Sequence, residues 1–176
     1  MEEKPSSQGV DGYQERYIEH QLRKKDSLME IMRARHSDRI FSEERVSEEE
    51  LSSINNMVDL VPSSCNRKAV SIRYIRDRDQ KALLGGLLVG GVGWIHRADT
   101  IVLIVANSIA YKENLTYMPY LDGGIIVQQL YLVCTALSIK CCFVNPNIRE
   151  ENHKFFGERY LLDNNEVFLG AMAIGK

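Results

Sequence analysis

Between Asp122 and Ile139 the chain carries a helical pattern that is apolar on almost every side. Ile126, Leu130, Val133 and Leu137 form one stripe, and most positions between them are also apolar. A helix of that kind cannot lie on a surface with half of itself in water. It reads as the central helix, buried nearly all round and packed by the sheet or by a second subunit. Asp122 reads as its N-cap, with Gly123 and Gly124 opening the first turn.

Two continuous apolar runs supply the sheet. Thr100 to Ala106 and Val167 to Ile174 are too short for buried helices and read as strands covered on both faces. Val70 to Ile75 alternates, with Arg73 and Arg76 outward, and Lys140 to Asn145 is a shorter strand broken by Asn145-Pro146-Asn147. Helical patterns separate them: Ser47 to about Val58 behind a Ser-x-x-Glu capping box, Asp79 to Val89, and Ile148 to Gly157 with Phe155 and Phe156 apolar. The order predicts an α+β, three-layer fold, its helices flanking a central sheet.

The N-terminal region is less regular. Met1 to Gly12 is rich in Gly, Pro, Ser and charge and reads as a flexible tail, leaving 13–176 as a single domain. Tyr13, Tyr17, Ile18 and Leu22 then share a helical face, and Ser27 to Glu30 has capping-box spacing, so one bent helix or two are both readable. Gly90 to Trp94 reads as a flexible loop, with the only Trp capping the core, and Asn107 to Leu121 as irregular, with Tyr111, Tyr117 and Tyr120.

The formal net charge is −2, so no global basic field points to nucleic acid or an anionic membrane. No apolar run approaches the roughly 20 residues of a membrane span. Cys65, Cys134, Cys141 and Cys142 lack metal-type spacing, and the four histidines are scattered, so no metal site is expected. A reducing, cytoplasmic setting fits these cysteines best.

Two polar knots carry the chemistry. In Arg35-His36-Ser37-Asp38-Arg39-Ile40-Phe41, two guanidinium forks, an imidazole and a hydroxyl crowd together. Alternation along an extended segment would put Arg35, Ser37 and Arg39 on one side, a pattern suited to phosphate. The same residues also read as a basic helix end facing solvent. Pro62-Ser63-Ser64-Cys65-Asn66 offers hydroxyls and an amide for a ring edge or a ribose-like chain, and taken alone reads first as an ordinary turn bonded to its own backbone. No base stands near Cys65 in sequence to make it a nucleophile.

In this order the motifs resemble the nitroreductase family of FMN-dependent oxidoreductases. The likeness rests on Arg35 to Phe41, Pro62 to Asn66, Asp122-Gly123-Gly124 with Gln128-Gln129-Leu130, and the closing Ile174-Gly175. Gln129 stands where the family usually has Asn. The resemblance implies a mostly antiparallel sheet and a homodimer with FMN at the subunit interface. It implies that Arg35, His36, Ser37 and Arg39 hold the phosphate and ribityl chain. Pro62, Ser63, Ser64 and Asn66 would approach from the partner, and Asn145 and Pro146 would lie against the ring. NAD(P)H would reduce the flavin, and a small nitroaromatic or quinone-like acceptor would reoxidise it, with no obligatory protein acid or base and no catalytic residue named. The family usually continues past the last strand with a further cation. With Lys176 last, Arg35 and Arg39 are expected to carry nearly all the phosphate charge. Alternatives are a degenerate flavin- or nucleotide-binding protein without strong catalysis, and a dedicated flavoenzyme of the same fold.

Overall fold

The computed structural model describes residues 7–160 and 162–176. The chain divides into two compact units, Met1–Arg35 and His36–Lys176.

The first unit is one helix, α1 (Ser7–Ala34). Ser7 to Gly12, expected as tail, are helical, and residues 1–6 lie outside the described residues. Ser27 sits inside this uninterrupted helix and caps nothing. Adding a turn to an existing helix costs far less than nucleating a new one, and that outweighs a weak capping signal. Tyr17, Ile18, Leu22, Leu28 and Met32 are exposed.

The second unit contains α2 (Glu48–Val58), β1 (Val70–Ile75), α3 (Arg78–Leu87), β2 (Thr100–Asn107), α4 (Met118–Ala136), β3 (Lys140–Val144), α5 (His153–Arg159) and β4 (Glu166–Gly175). The four strands form one sheet in the order β1-β2-β4-β3, with every pairing antiparallel. β2 is buried along nearly its whole length because its alternate residues feed two cores. Val102, Ile104 and Ala106 join Leu51 and Ile54 of α2 and Ile126 and Leu130 of α4. Ile101, Leu103 and Val105 join Leu84 and Leu87 of α3 and Phe156 of α5. The unit is therefore the expected α+β sandwich of helices, sheet and helices.

Three expectations need correction. α4 is not covered all round, since Leu121 (56% exposed) and Ile125 (42%) leave an apolar stripe open. The sheet can cover only one side of a helix in a single chain. In α5, Phe155 is exposed and only Phe156 is buried, because short α5 presents one narrow face to the sheet. Gly90 to Trp94 is not a loose loop but consecutive tight turns, closed by Gly91 N–H to Leu88 O (2.8 Å) and Trp94 N–H to Gly91 O (3.3 Å). Among the described residues, no helix is long and apolar enough to cross a membrane.

The α2 capping box is present as read. Ser47 Oγ accepts from Glu50 N–H (3.2 Å), and Glu50 Oε2 accepts from Ser47 N–H (2.9 Å). Glu50 also pairs with Lys176 Nζ, joining α2 to the residue after β4. The bond to Lys176, then the one from Ser47 N–H, holds this carboxyl below the ordinary glutamate value. Because the folded-state value is depressed, its stabilisation is present above the unfolded value and is lost as pH falls through the folded one. Glu50→Gln keeps an acceptor for the cap but loses the ion pair. It is expected to cost about 1 kcal/mol near neutral pH. The gap to wild type should close as pH drops below 4.5, measured by urea unfolding at several pH values. A gap that persists in acid would show that the pair contributes nothing.

Candidate functional site

His36 to Phe41 of the first knot open the second unit beside β3. Asp38 N–H donates to Cys141 O at 2.9 Å, and Ser42 N–H donates to Lys176 O at 2.6 Å. Bonded this way, the segment covers a sheet edge that would otherwise present unpaired backbone groups. Phe41 packs into the α3–α5 core, while Ile40 stays exposed.

Ser37 and Arg39 both act on Cys142. The thiol of Cys142 on β3 is pushed up by burial, and both the charge of Arg39 and a bond from Ser37 pull it back. Ser37 Oγ lies 3.0 Å from the hydroxyl of Tyr131 on α4, which in turn accepts from Phe143 N–H at 2.9 Å. The Arg39 guanidinium sits 5.6 Å above the centre of the Trp94 ring, a cation–π distance. Trp94 is braced by its own Nε1–H, which donates to Gly90 O at 2.9 Å. Trp94 therefore packs against the core, as expected, and also offers one face to Arg39. Among the described residues Arg39 has no carboxylate partner. His36 Nε2 pairs with Asp38 Oδ2 at 2.9 Å. Arg35 belongs to the first unit, where its N–H donates to Ile31 O and closes α1.

The second knot is a strained turn. Cys65, Asn66 and Lys68 all have φ near +50 (50, 56 and 51), a region costly for side-chain-bearing residues. Hydrogen bonds hold it there. Ser64 donates to Asp122 through its backbone N–H (3.1 Å) and its hydroxyl (2.8 Å). Arg67 Nη1 donates to Ser64 O (3.1 Å), and Ser63 Oγ accepts from Lys68 N–H (2.9 Å). The hydroxyls of Ser63 and Ser64 thus serve the turn itself. Pro62 and Asn66 are exposed, and among the described residues the Asn66 side-chain amide makes no hydrogen bond, while its backbone N–H donates to Ser63 O at 2.9 Å.

Asp122 is not the N-cap read from the sequence. α4 begins at Met118 with Pro119 in its first turn, where a fixed φ and a missing N–H are harmless. Asp122 lies a full turn inside, 3% exposed, and also accepts from Tyr111 O–H at 2.9 Å. Burial, then the bond to this carboxylate, pushes Tyr111 up to about 12. Next to it, a Cβ on Gly123 would come within 2.5 Å of the Leu169 side-chain tip, so a larger residue here would push that side chain aside. Sequence reasoning missed Tyr111 as a site residue. The signal was an acid inside an apolar helix, which must find donors once buried.

The Asn145-Pro146-Asn147 turn is fixed by Asn147 N–H to Asn145 Oδ1 (3.3 Å) and by Val89 N–H to Asn147 O (3.0 Å). Pro146 lines a hollow of ≈ 610 Å³ with His153, Phe156 and Phe168. Tyr120 is shared with an adjoining hollow of ≈ 1030 Å³, walled by Ile109, Tyr111 and Tyr117 from the tyrosine-rich segment.

Within the second unit the two knots are not brought together. Each grips α4, one at Asp122 and the other at Tyr131, roughly 13 Å apart along the axis at the usual helical rise. Among the described residues, no group of three or more His, Cys, Asp or Glu side chains is placed to hold a metal ion.

A strapped antiparallel sheet, a central helix with an acid at its buried end, and a cationic segment along the last edge define an α+β architecture that is shared with known structures. The family model for the nitroreductase family matches residues 32–176, and the chain belongs to that family. A Parabacteroides distasonis protein described as an NADH dehydrogenase/NAD(P)H nitroreductase superposes with a TM-score of 0.75 at 15% identity, covering 85% of this chain and 86% of that one. A Desulfovibrio desulfuricans protein described as a nitroreductase and solved in complex with FMN gives 0.72 at 23% identity, with 84% of each chain covered. The FMN-dependent nitroreductase from Clostridium difficile gives 0.74 at 19%, covering 82% and 84%. At these identities the likeness is one of fold. No curated protein matches the sequence.

Proposed function

We propose that this protein is an FMN-dependent oxidoreductase that passes electrons from NAD(P)H to a small nitroaromatic or quinone-like acceptor. The observation that carries the reading is the pair Ser37 and Arg39. An exposed hydroxyl and a guanidinium without a carboxylate partner among the described residues stand two residues apart on a braced segment beside β3. That donor set suits the phosphate of FMN, because a guanidinium fork remains charged and matches two phosphate oxygens. Arg35 and His36 join them from the sequence motif. Bound flavin supplies the hydride and electron chemistry. The protein positions it, with Asn145 and Pro146 at the ring and Asn66, Pro62, Ser63 and Ser64 closing the site from a second subunit.

The homodimer in this proposal is supported by two features. The knots lie far apart on α4 within one chain, and Leu121 and Ile125 leave that helix with an open apolar stripe. Four free thiols, three of them buried, support a reducing, cytoplasmic setting.

Purified protein titrated with FMN should develop a bound-flavin visible spectrum that NADH or NADPH bleaches anaerobically. Protein that takes up no FMN would overturn the reading. Protein that binds FMN and is not bleached would leave a flavin-binding protein without turnover. Arg39→Ala removes a charge-assisted contact worth roughly 1.5–3 kcal/mol, so FMN affinity should fall at least about tenfold. Unchanged affinity would place the phosphate elsewhere.

A further inference from the structure

We infer that Tyr131 is a positioning residue for phosphate recognition: its hydroxyl orients the Ser37 hydroxyl so that the serine proton points outward at the anion. This inference rests on the FMN reading above. It is carried by a chain of three groups from three parts of the fold. Phe143 N–H on β3 donates to the Tyr131 oxygen at 2.9 Å, and that oxygen lies 3.0 Å from Ser37 Oγ.

A phenol and a serine hydroxyl each have one proton, so only one of them donates across the 3.0 Å contact. A phenol oxygen that already accepts a hydrogen bond becomes the better donor, because successive bonds polarise one another in the same direction. The backbone amide of Phe143 therefore biases Tyr131 to donate and Ser37 to accept. Ser37 then keeps its proton for a further acceptor, and it is exposed beside Arg39, whose guanidinium is held on the Trp94 face. The proton order runs from the edge strand through the central helix to the ligand face. Without Tyr131 the serine hydroxyl loses the donor that turns its proton outward.

The test compares FMN with riboflavin, which lacks the phosphate, by quenching of flavin fluorescence. Wild type should bind FMN more tightly than riboflavin. Tyr131→Phe should lower FMN affinity about fivefold, the size of one neutral hydrogen bond, and leave riboflavin affinity unchanged. Ser37→Ala should show the same selective loss, and the double variant should lose no more than either single variant. Equal losses for both flavins, additive losses, or no loss would overturn the inference. If Tyr131→Phe fails to fold, Ser37→Ala alone decides, since an unchanged FMN-to-riboflavin ratio removes the end of the chain. Wild type that binds neither flavin, or both equally, overturns the FMN reading and this inference with it. Wild type that discriminates while the variants discriminate equally well overturns this inference alone.

Discussion

Gly170→Ala is expected to destabilise the protein by about 3–5 kcal/mol, the sum of an overpacking cost and a backbone cost. Gly170 lies at a bulge where β4 gains a residue against Ile104 and Val105 of β2. Its φ is +132, a region that L side chains rarely adopt. A Cβ there would stand 2.4 Å from the Phe143 ring and 2.8 Å from Val144 O. The ring can turn, but the carbonyl belongs to β3 and cannot move without the strand. That amount is a large part of a typical folding free energy. Urea unfolding would measure it, and a loss under 1 kcal/mol would show that β3 yields easily. Because Phe143 N–H starts the chain to Tyr131, the same substitution should also weaken anion binding in whatever fraction stays folded.

The second large effect is expected at Asp122. Asp122→Ala deletes the acceptor for Ser64 N–H, Ser64 O–H and Tyr111 O–H. Each donor stranded away from water costs about 1–3 kcal/mol, and Ser64, being only half-buried, recovers part of this from solvent. A net loss of about 3 kcal/mol is expected on these terms. The second consequence is local. Cys65, Asn66 and Lys68 keep their left-handed conformations only while the turn is anchored, so the released turn should relax. Asp122→Asn keeps one acceptor and should cost about half as much. Amide exchange at Ser64 would read the release directly, and a protected Ser64 N–H in Asp122→Ala would refute this role.

Tyr111 makes the same contact pH-dependent at the alkaline end. Its value is raised to about 12, so its contribution is intact below the ordinary tyrosine range near 10 and is lost as pH climbs through about 12.

Much of the fold was legible in the chain. β2 and β4 announced themselves because a strand covered on both faces must be apolar at every position. α2 announced itself because a capping box is a local hydrogen-bond pattern, complete within four residues. The candidate site was legible only in part. Arg39 and Ser37 were found as residue types at a spacing. What braces them was not, because Trp94 is 55 residues from Arg39 in the chain and Tyr131 is 94 from Ser37. Asp122 was misread for a related reason. An Asp before two glycines is a good local cap, and only the packing of α4 on the sheet reveals that the helix has already begun.

The sequence by itself thus determined the elements, the apolar character of the central helix and the two polar knots, since period, composition and capping are properties of neighbours. Only the tertiary structure decided which hydroxyls are spent inside the protein and which face outward. Ser63 and Ser64 are committed to their own turn and to Asp122, whereas Ser37 and Arg39 are held at the surface. Hydrogen-bond donors are satisfied by whatever folding brings within 3 Å or so, and that partner is set by the packing of helix on sheet.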